Sequence, residues 1–121
     1  MAAAPEPIIA FGAGMGSVVN DEALVNGTVA ELRKEFGARV VQIPAITASE
    51  DFSTLSEAGI PVMYFFVGGI DPQTIASARS DGRGVIANHS PYFAPVPETS
   101  IKTAVQAMAV SVLNALPVTR R

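Results

Sequence analysis

The 121 residues contain no cysteine. That absence excludes disulfide scaffolds, thiolate metal sites and cysteine nucleophiles together. There is one histidine, so one copy of the chain cannot build an all-histidine metal site. Charge is scarce as well. Asp, Glu, Lys and Arg make up 16% of the chain, against about 25% in typical soluble domains. The net charge is -3 from 8 basic and 11 acidic residues. These are scattered, and no basic footprint for nucleic acid is visible. Long apolar runs are missing too. The longest, Val62 to Val67, falls far short of the ~20 residues a membrane span needs. Met1-Ala2-Ala3-Ala4 lacks the basic start and long apolar stretch of a secretory signal. A cytoplasmic location is expected from these absences.

Hydrophobic residues, by contrast, are plentiful, at 49% of the chain, and the mean hydropathy is +0.35. A chain of 121 residues is one domain's worth of sequence and has a high surface-to-volume ratio, which calls for more charge, not less. Either the surface is unusually apolar or something else covers part of it. This points to a chain that belongs to a larger fold or to an oligomer.

Along the chain, Pro5 and Pro7 bracket Glu6, and Ile8 to Phe11 reads as a short strand. Gly12, Gly14 and Gly16 follow at spacing two. A dinucleotide loop needs the next glycine where Ser17 stands, so the run reads as a turn near a strand end. A helix then starts at an Asn20 or Asp21 cap. Val25, Val29, Leu32 and Phe36 form its apolar stripe, and Gly37 ends it.

Arg39 to Ile43 reads as a strand stopped by Pro44. Ser49 is expected to cap a short helix with Phe52 and Leu55 facing inward and Gly59 closing it. Ile60 to Val67 is apolar without polar alternation, as in a strand covered on both faces of a parallel sheet. Gly68-Gly69 ends it. Residues 70 to about 97 read as a long connection with a helical turn near Ile75 to Ala78, and Asp71 as a turn residue before Pro72. A last helix is expected from Glu98. Ile101, Val105, Met108, Val112 and Leu116 form its apolar stripe, and Ala104, Ala107, Ala109 and Ala115 leave its faces flat. Pro117 stops it, and residues 118–121 read as a frayed tail. Strands alternating with helices predict an α/β fold with right-handed crossovers.

Chemistry has few places to sit. His89, in His89-Ser90-Pro91-Tyr92-Phe93, lies in the long connection after a strand end, where ligands of α/β sheets bind. It reads as a metal ligand or general base, or as an ordinary hydrogen-bonded surface histidine. There is no G-x-S-x-G nucleophile elbow. Glu50 and Asp51, after Ser49, suit a helix N-terminus through capping and the helix dipole. They are also placed to hold an imidazole in one tautomer.

Val19-Asn20-Asp21-Glu22-Ala23-Leu24, Ala48-Ser49-Glu50-Asp51-Phe52-Ser53, a strand ending in Gly68, and His89-Ser90-Pro91-Tyr92-Phe93 occur in that order. Together they resemble the carboxy-terminal part of one family. It comprises the metal-dependent amidohydrolases and carboxypeptidases that include hippurate hydrolases and indoleacetyl-amino-acid hydrolases. Aminoacylases and succinyl-diaminopimelate desuccinylase are more distant relatives. The resemblance runs from about residue 8 to 116.

What it implies is a partial three-layer sheet with helices on both faces, the C-terminal part of a two-metal aminopeptidase-like catalytic domain. Residues 1–18 would resemble the last strand of the family's lid domain. Residues 19–117 would belong to the catalytic domain, and 118–121 to a tail. His89 would be a metal ligand, Ser49, Glu50 and Asp51 would lie near the site, and Gly68 would approach the substrate. The implied reaction is hydrolysis of the amide bond of N-acyl amino acids or small peptides with zinc, manganese or cobalt.

The family's other ligands and its glutamate base lie in an H-x-D or C-x-H element and a Glu-Glu pair. None of these occurs in this chain. The chain is therefore expected to be inactive alone, with the metal expected in the complete protein and not required of this chain by itself, and to need a missing N-terminal half or a homo-oligomer. The alternative is a stand-alone, non-catalytic oligomerisation or binding domain derived from that family.

Overall fold

Of the two caps the sequence offers, Asn20 and Asp21, it is Asp21 that starts the first helix. Its carboxylate accepts a hydrogen bond from Leu24 N–H at 2.7 Å, and α1 runs Glu22–Phe36. Gly37, at φ 59°, closes it and leads into a single 3-10 turn, Gly37–Arg39. The computed structural model describes residues 6–12, 14–46 and 50–116. Three more helices follow: α2 at Ser53–Glu57, α3 at Pro72–Ser80 and α4 at Pro97–Ala115.

The fold turns on α1 against α4. Leu32 and Phe36 of α1 are buried with Ala107 of α4, and Val40, Met63, Phe65 and Val110 pack around them. Thr28 of α1 is fully buried, and Asn114 of α4 donates to its hydroxyl at 3.1 Å. At Gly27 an added Cβ would lie 3.3 Å from the Asn114 amide nitrogen, so glycine permits this close approach.

The expected α/β fold, a partial three-layer sheet with helices on both faces, does not form. Among the described residues there is no strand. Residues 8–11, 40–43 and 60–67 carry no regular secondary structure, and none pairs with another. A strand exists only through its ladder, and here backbone groups of 60–69 find partners at helix ends. Asp21 N–H donates to Val62 C=O at 2.8 Å, and Val96 N–H donates to Gly69 C=O at 2.7 Å. Asn20 grips Tyr64 from one side through its side-chain amide.

From Met63 to Phe66 alternate side chains face different surroundings. Met63 and Phe65 pack on the α1–α4 core. Tyr64 and Phe66 meet each other elsewhere, and Tyr64 also meets Phe52. The expectation of a strand covered on both faces is thus corrected, since Tyr64 and Phe66 are exposed.

Two further expectations change. Residues 70–97 hold α3, a full helix where only a turn was expected. Asp71 is its cap, accepting from Gln73 N–H at 2.8 Å and Thr74 N–H at 3.1 Å, with Pro72 in the first turn. Aspartate before proline is a helix-start signal as well as a turn signal, and the structure takes the first meaning. α2 begins at Ser53 with no side-chain cap bond, and Leu55 is exposed. Ser49, the expected cap, lies outside the described residues, as do Pro117 and the tail at 118–121.

The apolar stripe of α4 faces outward. Ile101, Val105, Met108, Val112 and Leu116 are all exposed, while Ala107 on another face is buried against α1. The scarcity of charge therefore shows as an apolar surface. Among the described residues no helix is long and apolar enough to cross a membrane.

Candidate functional site

The sequence singles out three places, and no hydrogen bond among the described residues joins them. The first lies before α2. Tyr64 O–H donates to Glu50 Oε2 at 3.1 Å, and the Tyr64 ring lies 5.4 Å from that of Phe52 and 5.5 Å from that of Phe66. Offset and edge-on aromatic contacts at these distances are favourable. The hydrogen bond to Glu50, then the Glu50 charge, partial loss of water and the Asp51 charge hold the Tyr64 phenol above its usual range. Each of these terms disfavours a phenolate beside a carboxylate. Tyr64 is therefore a neutral donor that orients Glu50. Asp51 is exposed, and its carbonyl accepts from Thr54 N–H and Oγ1. The neighbouring Ser53 hydroxyl is fully buried and has no partner among the described residues.

The second place is Gly68. It lines a cavity of about 70 Å³ with Gly69, Asp71, Pro72, Val96 and Ser100, between the starts of α3 and α4. Small-molecule sites occupy roughly 300–1,000 Å³, so this cavity does not admit an N-acyl amino acid. An added Cβ at Gly69 would meet Pro95 Cβ at 3.1 Å. Glycine here serves the approach of the chain to the start of α4.

His89 is the third. It is exposed and holds φ 69°, the one non-glycine residue with positive φ among the described residues. The loop around it is knitted by Ser90, whose hydroxyl accepts from Tyr92 N–H at 3.2 Å and whose carbonyl accepts from Phe93 N–H at 3.1 Å. No hydrogen bond among the described residues joins His89 to Glu50 or Asp51.

A zinc, manganese or cobalt centre needs several protein donors converging on one point. No group of three or more His, Cys, Asp or Glu does so among the described residues. The described residues by themselves assemble no such donor set. Nor does the glycine run look like a phosphate loop. An added Cβ at Gly16 would run into the Glu57 carboxylate, a group that repels phosphate.

Sequence reasoning missed Asn20 and Tyr64 as partners. The signal for Tyr64 was present, because residues 64 and 66 fall on one side of the expected strand. For Asn20 there was none, since its partner is 44 residues away. No protein-family model matches this chain and no solved structure matches it.

Proposed function

We propose that this chain is one part of a metal-dependent amidohydrolase that cleaves the amide bond of N-acyl amino acids or small peptides. The remaining metal ligands and the catalytic base come from another polypeptide segment. The reading rests on the ordered Ser49-Glu50-Asp51-Phe52-Ser53 and His89-Ser90-Pro91 motifs. The observation that supports it most is the state of His89. The single imidazole is exposed on a loop whose backbone is held at positive φ, a conformation that costs energy and concentrates at functional positions. In this reading His89 offers a ring nitrogen to a metal held mostly by others. Tyr64 keeps the Glu50 carboxylate in a fixed orientation.

The test is to isolate the native species carrying these residues from its source cells. That species is assayed for hydrolysis of N-acyl amino acids with zinc, manganese or cobalt added. The expected result is chelator-sensitive hydrolysis, lost in His89→Ala, with no hydrolysis by the 121-residue chain alone. A native species that cleaves no N-acyl amino acid or small peptide under any of the three metals overturns the reading. Chelator-sensitive hydrolysis by the pure chain overturns the shared-site part of it.

A second reading, a non-catalytic oligomerisation or binding domain, is favoured by the exposed apolar face of α4. It predicts that the native species assembles without amidase activity.

A further inference from the structure

The chain has four asparagines, at positions 20, 26, 88 and 114. Asparagine is thermolabile, because the backbone nitrogen of the next residue can attack its side-chain carbonyl carbon. The attack needs two groups free at once, the side-chain amide and the following N–H. An N–H engaged in a hydrogen bond is withheld from it.

At three of the four positions the fold ties these groups down. The Asn20 amide bonds both backbone groups of Tyr64, and Asp21 N–H donates to Val62 C=O. The Asn114 amide donates to the buried Thr28 hydroxyl, and Ala115 N–H lies within α4. Asn26 precedes Gly27, the successor that crowds the attack least because it has no Cβ. Both lie in the middle of α1, where the Gly27 N–H is held by the carbonyl one turn back. The related aspartate-glycine pair occurs once, at Asp81-Gly82. There Gly82 N–H donates to Arg79 C=O at 3.2 Å, and the Asp81 carboxylate pairs with Arg83.

Asn88 is the exception. Asn88 and His89 are both exposed. Among the described residues, neither the Asn88 side chain nor the His89 N–H has a hydrogen-bond partner. The turn that carries them is closed by one long bond, from Ser90 N–H to Ala87 C=O at 3.3 Å. His89 also stands at φ 69°, a region disfavoured for any residue with a Cβ. This turn therefore resists rearrangement far less than the middle of a packed helix does.

We infer that Asn88 is a site of spontaneous modification, the asparagine of this chain that converts to aspartate and isoaspartate in the folded state. The His89 nitrogen bonds to Asn88 Cγ. The Cγ–Nδ2 bond breaks, and the side-chain nitrogen leaves as ammonia with the proton from His89 N–H. The product is a cyclic succinimide, which water then opens. Breaking the ring at Cγ gives aspartate. Breaking it at the main-chain carbonyl gives isoaspartate, whose backbone is one methylene longer. Water is the only co-reactant. Either product places a negative charge beside the chain's single imidazole, and isoaspartate also resets the backbone that presents it. The inference does not depend on the amidohydrolase reading.

The test is to store the pure chain at mildly alkaline pH, folded and, in parallel, unfolded in guanidinium chloride. Each asparagine is followed by peptide mapping with mass spectrometry, and isoaspartate by enzymatic methylation. In the folded chain Asn88 should convert about tenfold or more faster than Asn26, because reaction at 26 waits for α1 to open. In denaturant the order should reverse, since only the local advantage of glycine remains there. Asn88→Gln, whose longer side chain closes the ring poorly, should abolish the folded-state conversion at this position. The position is exposed, so circular dichroism should show the helices unchanged. Asn20, Asn26, Asn114 or Asp81 reacting ahead of Asn88 in the folded chain overturns the proposal. So does a residue 88 that stays asparagine for as long as Asn26 takes to convert in denaturant. Asn88 leading in denaturant as well would show that the fold does not select it.

Discussion

Asn20 holds Tyr64 through both ends of one amide. Tyr64 N–H donates to Asn20 Oδ1 at 2.7 Å, and Asn20 Nδ2 donates to Tyr64 C=O at 2.9 Å. A side chain thereby makes the paired contact that a neighbouring strand would make. It does so at the start of α1, where the next residue, Asp21, bonds Val62 C=O. Each such bond contributes a net ~0.5–1.5 kcal/mol. Asn20→Ala should therefore cost about 1–2 kcal/mol in urea unfolding. Asn20→Asp, which keeps the acceptor and loses the donor, should lie between. Unchanged stability in both variants would show that the amide does not clamp this segment.

The Tyr64 phenol titrates above its ordinary value because of Glu50 and, behind it, Asp51. Its pKa is higher in the folded chain than in the unfolded one. The stability it contributes is therefore present in full below the unfolded phenol value of about 10, and is lost as pH rises through the folded value. Ultraviolet titration of a Tyr92→Phe variant leaves Tyr64 as the only phenol of the two tyrosines. Adding Glu50→Gln should bring its midpoint down. A midpoint that does not move would mean that Glu50 is not its partner.

Gly27 and Asn114 form a coupled pair across the two long helices. Alanine in place of a mid-helix glycine normally stabilises by ~0.8–1 kcal/mol. At position 27 the new methyl would press on the Asn114 amide at 3.3 Å. Pushing that amide also disturbs its bond to the buried Thr28 hydroxyl. Gly27→Ala should give none of the usual gain in the native background. It should recover the gain in an Asn114→Ala background, measured as a double-mutant cycle by thermal unfolding. Additive effects would contradict the close approach of α1 to α4.

His89 lies at φ 69°, where a residue with a Cβ stores roughly 1–3 kcal/mol of backbone strain. His89→Gly should release it and raise the melting temperature. His89→Ala keeps the Cβ and should not. Equal effects would mean that the ring, not the backbone, determines stability in this loop.

Local signals were legible at both ends of α1 and at the start of α4. Asp21 as a cap, Gly37 as a stop and a last helix beginning beside Glu98 all require only the hydrogen bonds of three or four successive residues. The α3 start was also written in the chain, as Asp71-Pro72, but the same pair serves turns, and nothing nearby distinguished the two meanings. Of the site, His89, Glu50, Asp51 and Gly68 could be singled out by residue type and order. That Glu50 belongs to Tyr64 could not, because the two meet only after the chain has folded back.

The segments read as strands form no ladder among the described residues. Val62 to Val67 has the apolar, β-branched and aromatic residues of a buried strand. Whether such a segment joins a ladder depends on what lies beside it, and here Asn20, Asp21 and Val96 do. Likewise, the repeat from Ile101 to Leu116 determined that α4 would have an apolar stripe. Its orientation was decided by the opposite face, where Ala107 is small enough to let α1 approach and Asn114 meets Thr28.

By itself the sequence settled composition, both ends of α1, the start of α4 and which residues can carry chemistry, because these depend on side chains and near neighbours. The tertiary structure alone decided that no ladder forms among the described residues, that α4 turns its apolar stripe outward, and that Glu50 and His89 share no hydrogen bond. Those outcomes follow from contacts between residues far apart in the chain, whose closing entropy and fit no local pattern records.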